Sequence, residues 1–313
     1  MVDLKDLTEA YSLALCNLGH IYTNIVVLDA DIADSCKTES FRAAFPYRSF
    51  DLGIAEQSLP TFAAGLALCG KIPICNTFAV FAVHRGLDMI RQSVAYNRAN
   101  VKIVGHAAGQ SMGYTGPSHH TIEDFSVLRA IPNFIIFSPC DAVEVEKMVK
   151  AMVEIDGPVY LRLVRASVPD LHSQDYNFRI GIAECLQEGN DISLFATGEC
   201  VHLAIEASKH LRKKGIYAQV INVPTIKPLI PEQIIQYGEK THGAVTIEDH
   251  NIYGGLGSII SEIYSEYLYK PVKRIGIPDT FTESDTSEAL KTAYGIHIQN
   301  IIKKANEVIH KKD

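Results

Sequence analysis

The segment DLGIAEQSLPTFAAGLAL, residues 51–68, contains the local order that decides the fold: an extended end, a glycine turn and an apolar helix. The extended stretch ends at Leu52, Gly53 permits a tight turn, and a helix is predicted over residues 58–68. Glu56 therefore lies where a strand gives way to a helix. Two hypotheses explain a carboxylate there. It interacts with the free N–H groups of the first helical turn, or it faces the ligand-binding edge of a parallel sheet.

The same alternation of apolar strands and helices continues along the chain. Continuous apolar strands separated by helices indicate parallel sheets that are covered on both faces. We therefore predict the α/β class, with two consecutive doubly wound α/β domains of mostly parallel strands: residues 1–168, a polar linker at 169–182, and residues 183–313. The predicted strands span 24–32, 72–78, 100–109, 133–139, 158–164, 191–197, 217–223, 244–249 and 272–277, and the predicted helices span 58–68, 83–97, 121–130, 142–155, 201–214, 231–240, 256–267 and 294–310.

Composition and charge argue against several kinds of partner. Hydrophobic residues make up 47% and charged residues 21% of the chain, which is ordinary for a globular protein with a large core. The formal charge of −7 and the lack of a basic block argue against nucleic acid. The first residues lack the pattern of a signal peptide, and no apolar run approaches the ~20 residues that span a membrane. We therefore expect a cytoplasmic protein without a membrane partner.

Three patterns that suggest a disulfide, metal or nucleotide site are weak. The seven cysteines are scattered and include no C-x-x-C pair, so they are expected to be buried thiols in a reducing compartment. HHTIED, residues 119–124, lacks the fixed spacing of a metal site, and we predict no metal ligands in this chain. YGGLGS, residues 253–258, lacks the third glycine of a nucleotide fingerprint, so its glycines are expected to allow close helix packing.

Chemically useful side chains follow the predicted strands at the points where those strands end. Asp31, Glu56, Phe78, Phe81 and His119 all lie at or just after a strand end. Because the carboxyl ends of parallel strands share one edge of a sheet, these side chains are expected to line one crevice. Simpler roles remain open for some of them. The two phenylalanines are three residues apart, as on one helix face, and can fill the core, while the histidine can lie in a solvated loop.

Six stretches, in this order, resemble the C-terminal half of transketolase in the form where the enzyme is split between two polypeptides. They are DLGIAEQ, NTFAVFAVHRG, GPSHHTIEDFSVLRAIPNF, DGPVYLRLVR, PTIKPL and IEDHNIYGGLGS, and the resemblance covers essentially the whole chain. It implies a pyrimidine-binding domain of the thiamine-diphosphate-binding fold, followed by a transketolase C-terminal domain. It also implies thiamine diphosphate as the cofactor, which supplies the carbanion chemistry while the protein orients and tunes it.

The resemblance implies roles for five residues at the cofactor. Glu56 matches the carboxyl group that hydrogen-bonds N1′ of the aminopyrimidine ring, where it shares a proton with that nitrogen. Phe81 matches the aromatic side chain that stacks on the pyrimidine, and Phe78 helps to form the pocket wall. Asp31 matches an acidic residue at a strand end near the cofactor. His84 stands where a third aromatic residue is usual.

The resemblance also implies a set of substrate contacts. His119 matches the histidine near the reacting carbons of the donor ketose, and Arg165 matches an arginine that grips the sugar phosphate. Ser35 stands where a phosphate-contacting serine is found. Two positions depart from the family. Thr115 replaces an aspartate that binds a sugar hydroxyl, and His106 lies one residue before the position of a phosphate-contacting histidine. The cofactor site is therefore expected to be intact and the substrate contacts altered.

Part of the cofactor site is missing from this sequence. Thiamine enzymes hold the diphosphate and Mg²⁺ with a Gly-Asp-Gly stretch followed by an asparagine, and this chain has no Gly-Asp-Gly. The resemblance thus implies a partner, the N-terminal transketolase subunit, in an α2β2 heterotetramer. Together they would transfer a two-carbon ketol unit from a ketose or its phosphate to an aldose or its phosphate. The alternatives are the β subunit of a 2-oxo acid dehydrogenase and a non-catalytic regulatory subunit of the same fold.

Overall fold

Two mostly parallel sheets organise the chain, which confirms the predicted α/β class. The computed structural model describes residues 4–310, so the predicted domain ends at residues 1–3 and 311–313 lie outside the described residues. The strands are β1 (Lys5–Asp6), β2 (Ile25–Asp29), β3 (Ser49–Asp51), β4 (Ile72–Phe78), β5 (Lys102–His106), β6 (Ile135–Phe137), β7 (Val159–Arg162), β8 (Ser167–Val168), β9 (Glu184–Gln187), β10 (Ile192–Ala196), β11 (Ala218–Asn222), β12 (Thr225–Lys227), β13 (Ala244–Asn251) and β14 (Val272–Ile277).

The first sheet has the order β12-β6-β7-β5-β4-β2-β3, and its neighbours are parallel except for the β12–β6 pair. The chain passes from β2 to β3 on one side and then crosses to β4 on the other, so the strand order reverses between β2 and β4. Ligands of open α/β sheets bind outside the carboxyl ends of the strands at such a reversal. Asp31, Glu56 and Phe78 follow or end these strands, so the topology brings them to one place.

Helices cover both faces of each sheet, because their buried residues recur at helical spacing. One π-helical turn precedes α5 at Phe81–Arg85 and another follows it at Ile90–Ala95, and a third, Tyr264–Leu268, follows α10. The helices are α1 (Leu7–Ile21), α2 (Ala33–Cys36), α3 (Glu39–Ala44), α4 (Leu59–Leu68), α5 (Gly86–Met89), α6 (Asp124–Ala130), α7 (Ala142–Glu154), α8 (Cys200–Arg212), α9 (Pro231–Glu239), α10 (Leu256–Ile263), α11 (Ser287–Ala293) and α12 (Ile298–Ile309).

The two domains share a hydrophobic core. On the first sheet, α1 and α7 pack on one face, and α4, α5 and α6 pack on the other. The second sheet has the order β14-β13-β10-β11-β9, in which only β9 is antiparallel. Helices α8 and α12 cover its one face, while α9 and α10 cover the other. The cluster that contains α4 and α6 continues without a break into the one that contains α9 and α10, so the domains are packed as one body.

Three features depart from the prediction. Strand β12 comes from the second half of the chain but pairs with β6 at the edge of the first sheet. Helix α1 is absent from the predicted set, although Leu7, Tyr11 and Leu15 are buried at helical spacing and Asp6 caps the helix through the N–H groups of its first turn. Cys69, at the end of α4, is exposed, so the expectation of burial is wrong for this thiol.

The described helices bear on one further expectation. Among residues 4–310, no helix combines the length and the apolar character that are needed to cross a bilayer.

A buried histidine fixes the connection between the domains. His172 lies between β8 and β9, and its ring nitrogens donate to Asp141 at the start of α7 (2.7 Å) and to Glu184 of β9 (2.9 Å). Burial lowers the pKa of His172, but these hydrogen bonds outweigh it and raise the pKa to about 10. Cys140 is close enough to Asp141 and His172 for the three to suggest a metal site. Because both ring nitrogens already donate to carboxylates, we read the cluster as an ionic clamp.

We predict that His172→Ala lowers the free energy of unfolding by about 3 kcal/mol, the low end for a broken buried ion pair, because Asp141 keeps its backbone N–H donors. The folded pKa lies above the unfolded value of about 6.5. The clamp is therefore fully stabilising below pH 6.5 and is lost as the pH rises towards 10. Urea unfolding at pH 6 and pH 9.5 measures this difference, with the exposed His242→Ala as the control. An equal loss at both pH values would contradict a charged clamp.

Candidate active site

Glu56 lies in the turn between β3 and α4, and this residue is 5% exposed. Asp51 shapes the turn, because its Oδ1 accepts the backbone N–H groups of Gly53 and of Asp31, each at 3.0 Å. Helix α4 begins at Leu59, has no acidic residue in its first turn and has no side-chain cap. The hypothesis that Glu56 serves the first turn of this helix is therefore wrong.

Arg85 is the direct partner of Glu56. Its Nη1 donates to Oε1 of the carboxylate at 2.8 Å, and its guanidinium carbon lies 4.0 Å from the centre of the Phe81 ring. Phe81 and Arg85 begin and end the π-helical turn before α5, and such turns are frequent at functional sites. A Cβ on Gly86 would lie 3.5 Å from the carbonyl oxygen of Glu56, so glycine allows this helix to approach the Glu56 turn closely.

Three rings form an apolar wall beside this ion pair. Phe78 ends β4, and its ring centre lies 6.1 Å from that of Phe81. Both rings meet His119 at an angle, with centre-to-centre distances of 6.1 Å and 5.2 Å. The two phenylalanines are partly exposed, as is His119, whose Nδ1 lies 3.0 Å from the Ser118 hydroxyl. The structure thus brings Glu56, Phe78, Phe81 and His119 into one crevice with an apolar wall and an acidic end.

His84 lies next to this wall but has a different kind of partner. Its Nε2 is 3.1 Å from Oε1 of Glu123, whose other oxygen accepts the N–H group of Ile122 at 2.7 Å. The hydrogen bond to Glu123 raises the pKa of His84 despite partial burial. Among the described residues, no ring contact joins His84 to Phe78 or Phe81. Its ring therefore presents a charge-bearing group at the position where the resemblance implies an aromatic one.

Three of the predicted substrate residues gather around Arg165, which is exposed. Burial raises the pKa of the Cys36 thiol, and the nearby charge of Arg165 opposes that rise, so the guanidinium lies close to α2, which contains the half-buried Ser35. Arg165 Nη1 is also 3.6 Å from the sulfur of Met112. The exposed Thr115 donates its hydroxyl to the Met112 carbonyl at 3.1 Å. Ser35, Arg165 and Thr115 therefore form a second, more polar group.

The structure does not bring His106 into the crevice. Its side chain points from β5 towards α1, where its Nε2 lies 3.1 Å from the Asn76 side-chain oxygen and its ring packs edge-on against Tyr11 at 5.1 Å. Burial lowers the pKa of His106 to about 3, so the ring is neutral. A neutral ring that is 2% exposed cannot grip a sugar phosphate.

The glycines of YGGLGS serve close packing, as predicted. The buried Glu248 carboxylate accepts the N–H groups of Leu256 and Gly257 at 2.7 Å and 2.8 Å, so the start of α10 already has its anion. A Cβ on Gly255 would meet the same carboxylate, and one on Gly257 would meet Arg274. The helix end that a nucleotide phosphate would need is therefore occupied by a side chain of this protein.

Known proteins match this chain along most of its length. Residues 4–170 match the family transketolase, pyrimidine binding domain, and residues 181–301 match transketolase, C-terminal domain. A putative transketolase C-terminal section from Methanocaldococcus jannaschii is 39% identical over 98% of each chain. One of the two subunits of the apulose-4-phosphate transketolase from Phocaeicola vulgatus is 37% identical over 97% of each chain. A solved structure of a split gene transketolase, described as an inactive beta4 tetramer, is 42% identical with a TM-score of 0.92 over 98% of this chain and 99% of that chain.

The fold and the crevice define a two-domain α/β protein with a partly exposed site at the switch point of its first sheet. The two domain matches and the relatives at more than a third identity lead to a more specific conclusion. The chain belongs to the transketolase family, and it contains the pyrimidine-binding and C-terminal domains.

Arg85 is the site residue that sequence reasoning missed. It lies in the quoted stretch NTFAVFAVHRG, four residues after Phe81, and residues at this spacing share one face of a helix. That spacing was the available signal. The contact with Glu56, 29 positions earlier, depends on tertiary packing and has no local pattern.

We predict that Arg85→Met lowers the free energy of unfolding by about 2 kcal/mol, because it leaves a buried carboxylate without its charged donor. In the Glu56→Gln background the same change should cost much less, because no buried charge is stranded. Denaturant unfolding of the four proteins measures the coupling. Arg129→Met is the matched control, since it breaks a pair with the exposed Glu262 and should cost at most about 1 kcal/mol. Additive effects of the two changes would contradict the pairing.

Proposed function

We propose that this chain is the pyrimidine-binding subunit of a thiamine-diphosphate-dependent transferase, which moves a two-carbon ketol unit from a ketose to an aldose. The N-terminal transketolase subunit would hold the diphosphate and Mg²⁺ in an α2β2 assembly. The observation that carries this proposal is the buried carboxylate of Glu56 beside a partly exposed aromatic wall. A carboxylate in that setting needs a partner with a flat apolar body and a polar nitrogen.

An aminopyrimidine ring fits the crevice. Such a ring packs favourably against phenyl side chains, which here are Phe78 and Phe81. Arg85 takes Oε1 of Glu56, so a ring nitrogen of the ligand would pair with Oε2. Glu56 then holds a proton at that nitrogen. When bound, the cofactor supplies the nucleophilic carbon and the electron sink for breaking the carbon–carbon bond.

The polar side of the crevice would bind the sugar. His119 packs on the aromatic wall, so its free ring edge can donate to a hydroxyl near the reacting carbons. Arg165 and Ser35 would hold an anionic end of the substrate. Thr115 offers a hydroxyl where the resemblance implies a carboxylate, and a neutral hydrogen bond contributes about 1 kcal/mol against about 1.5–3 for a charged one. The enzyme would therefore discriminate weakly between sugar configurations at that carbon.

An exposed apolar surface supports the need for a partner. Helix α4, LPTFAAGLAL, contains no charged residue, and a helix that is apolar all round is normally buried. Phe62 and Leu68 on this helix are nevertheless 44% and 84% exposed, and Phe50 and Ile54 beside it are 42% and 74% exposed. We call these four residues the α4 surface. It adjoins the Glu56 turn, so a subunit that covered it would also close the crevice.

We predict that Glu56→Gln in the reconstituted enzyme lowers ketol transfer by ~10²–10⁴-fold, the usual contribution of a positioned acid–base group. Exchange of the thiazolium C2 proton of the bound cofactor, followed by NMR, should slow to a similar extent. Glu262→Gln is the control, because this carboxylate also pairs with an arginine but is exposed and belongs to α10. Normal proton exchange in Glu56→Gln would refute the proposed role, and an inactive wild-type pair would refute the proposed function.

We also predict that Phe62→Glu prevents assembly with the N-terminal subunit, because it places a charge in the centre of the α4 surface. The isolated variant should unfold at nearly the wild-type denaturant concentration, since this side chain is already partly exposed. Analytical ultracentrifugation of the mixed subunits reports the assembly. Tyr217→Glu is the matched control, at an aromatic residue that is 50% exposed at the amino edge of the second sheet. Normal assembly of Phe62→Glu would show that the partner docks elsewhere.

A further inference from the structure

The second sheet also has a point at which its strand order reverses, between β10 and β13. In an open α/β sheet, the crevice outside that point is where a ligand binds. Here the first domain fills it. Asp249 near the end of β13 accepts the N–H group of Gln110 at 2.9 Å, and Asn251 donates its own N–H to the Ile122 carbonyl at 2.6 Å. The segment 109–124, which contains His119, therefore occupies the ligand position of the C-terminal domain.

Three glycines allow this segment to lie against the C-terminal domain. A Cβ on Gly109 would meet the Asp249 carboxylate, one on Gly113 would meet the backbone of Asp285, and one on Gly116 would meet Ser284. All three glycines also have positive φ angles, which side-chain-bearing residues rarely adopt. The shape of the segment is therefore set by the C-terminal domain as well as by its own turns.

His120 joins the two parts at the turn that carries His119. Its ring is 3% exposed, and its Nε2 donates to the Gly113 carbonyl at 3.1 Å. Its Nδ1 accepts from the Thr282 hydroxyl at 2.5 Å. Burial lowers the pKa of His120, which favours this neutral form. Since the N–H groups of both histidines bond to the Gly116 carbonyl, the two rings leave one tight turn in different directions.

We propose that His120 is a positioning residue, and that through its contact with Thr282 the C-terminal domain sets the position of the His119 ring against the substrate. This inference rests on the proposed ketol transfer. His120 does not touch the crevice wall, and among the described residues its ring contacts are those to Gly113 and Thr282. Its effect on the reaction would therefore pass through the shared turn.

The test uses the enzyme reconstituted with its N-terminal subunit. Thr282→Val removes the hydroxyl without changing the shape of the side chain, and His120→Ala removes the ring. Each should lower kcat for ketol transfer by about 10–100-fold, because a displacement of about 1 Å can cost 10²-fold. His120→Gln should recover most of the activity, since an amide offers one N–H donor and one oxygen acceptor. The double variant should be no worse than the single ones.

Two further measurements separate positioning from a general loss of structure. Exchange of the cofactor C2 proton depends on Glu56 and not on the sugar contacts, so it should stay within about 3-fold of wild type in both variants. Amide hydrogen exchange of residues 109–120 in the full chain should become faster in both variants. Thr280→Val is the matched control, because that exposed hydroxyl donates only to the neighbouring Phe281 carbonyl.

The outcomes are distinct. Loss of ketol transfer with normal proton exchange, and with rescue by His120→Gln, supports the inference. Faster amide exchange with unchanged kcat would overturn it, because the clamp would then be merely structural. Equal loss of ketol transfer and proton exchange would also overturn it. If the wild-type pair exchanges no cofactor proton and transfers no ketol unit, the proposed function fails instead.

Discussion

The buried guanidinium of Arg162 is the constraint on which both the domain contact and the site depend. It lies at the end of β7 and is 3% exposed. Its Nε donates to Asp124 at 2.9 Å, and its Nη2 donates to the carbonyls of Thr121 and Asp249 at 3.3 Å and 2.8 Å. The Phe125 ring covers its face at 4.6 Å. Because an unpaired charge at such depth costs several kcal/mol, the first sheet, the site segment and β13 must meet around this side chain.

The same constraint explains why only one of the two sheet edges is free for a ligand. Both sheets end in a switch point of the kind that binds small molecules in open α/β proteins. The edge of the second sheet receives the site segment of the first domain, held by Asp249 and Asn251. The edge of the first sheet keeps its crevice, walled by Phe78, Phe81 and His119. One crevice thus supports the other, so the C-terminal domain takes part in building the site.

Sequence reasoning reached the fold class because long apolar strands alternate with helices, and that pattern is local. Strands β4 and β14 have the predicted bounds. The misses have identifiable causes. Strands β3 and β12 have three residues each, too few for a periodic signal, and β12 is fixed by pairing with β6 in the other half of the chain. Helix α1 was readable, since its apolar residues recur at helical spacing and Asp6 is a good cap.

At the site, sequence order located the groups, but packing determined what each one contacts. His106 illustrates a signal that was present but unused. It lies two residues after Val104, so strand alternation places both on the α1 face and away from the crevice. No comparable rule joins Glu56 to Arg85. Yet this pair allows a carboxylate to stay buried beside phenyl rings in the free chain, because the guanidinium supplies the charge that burial demands. Arg85 itself is 49% exposed, so it meets that demand while part of its own charge remains in water. A ligand nitrogen can therefore approach the other carboxylate oxygen without stranding either charge.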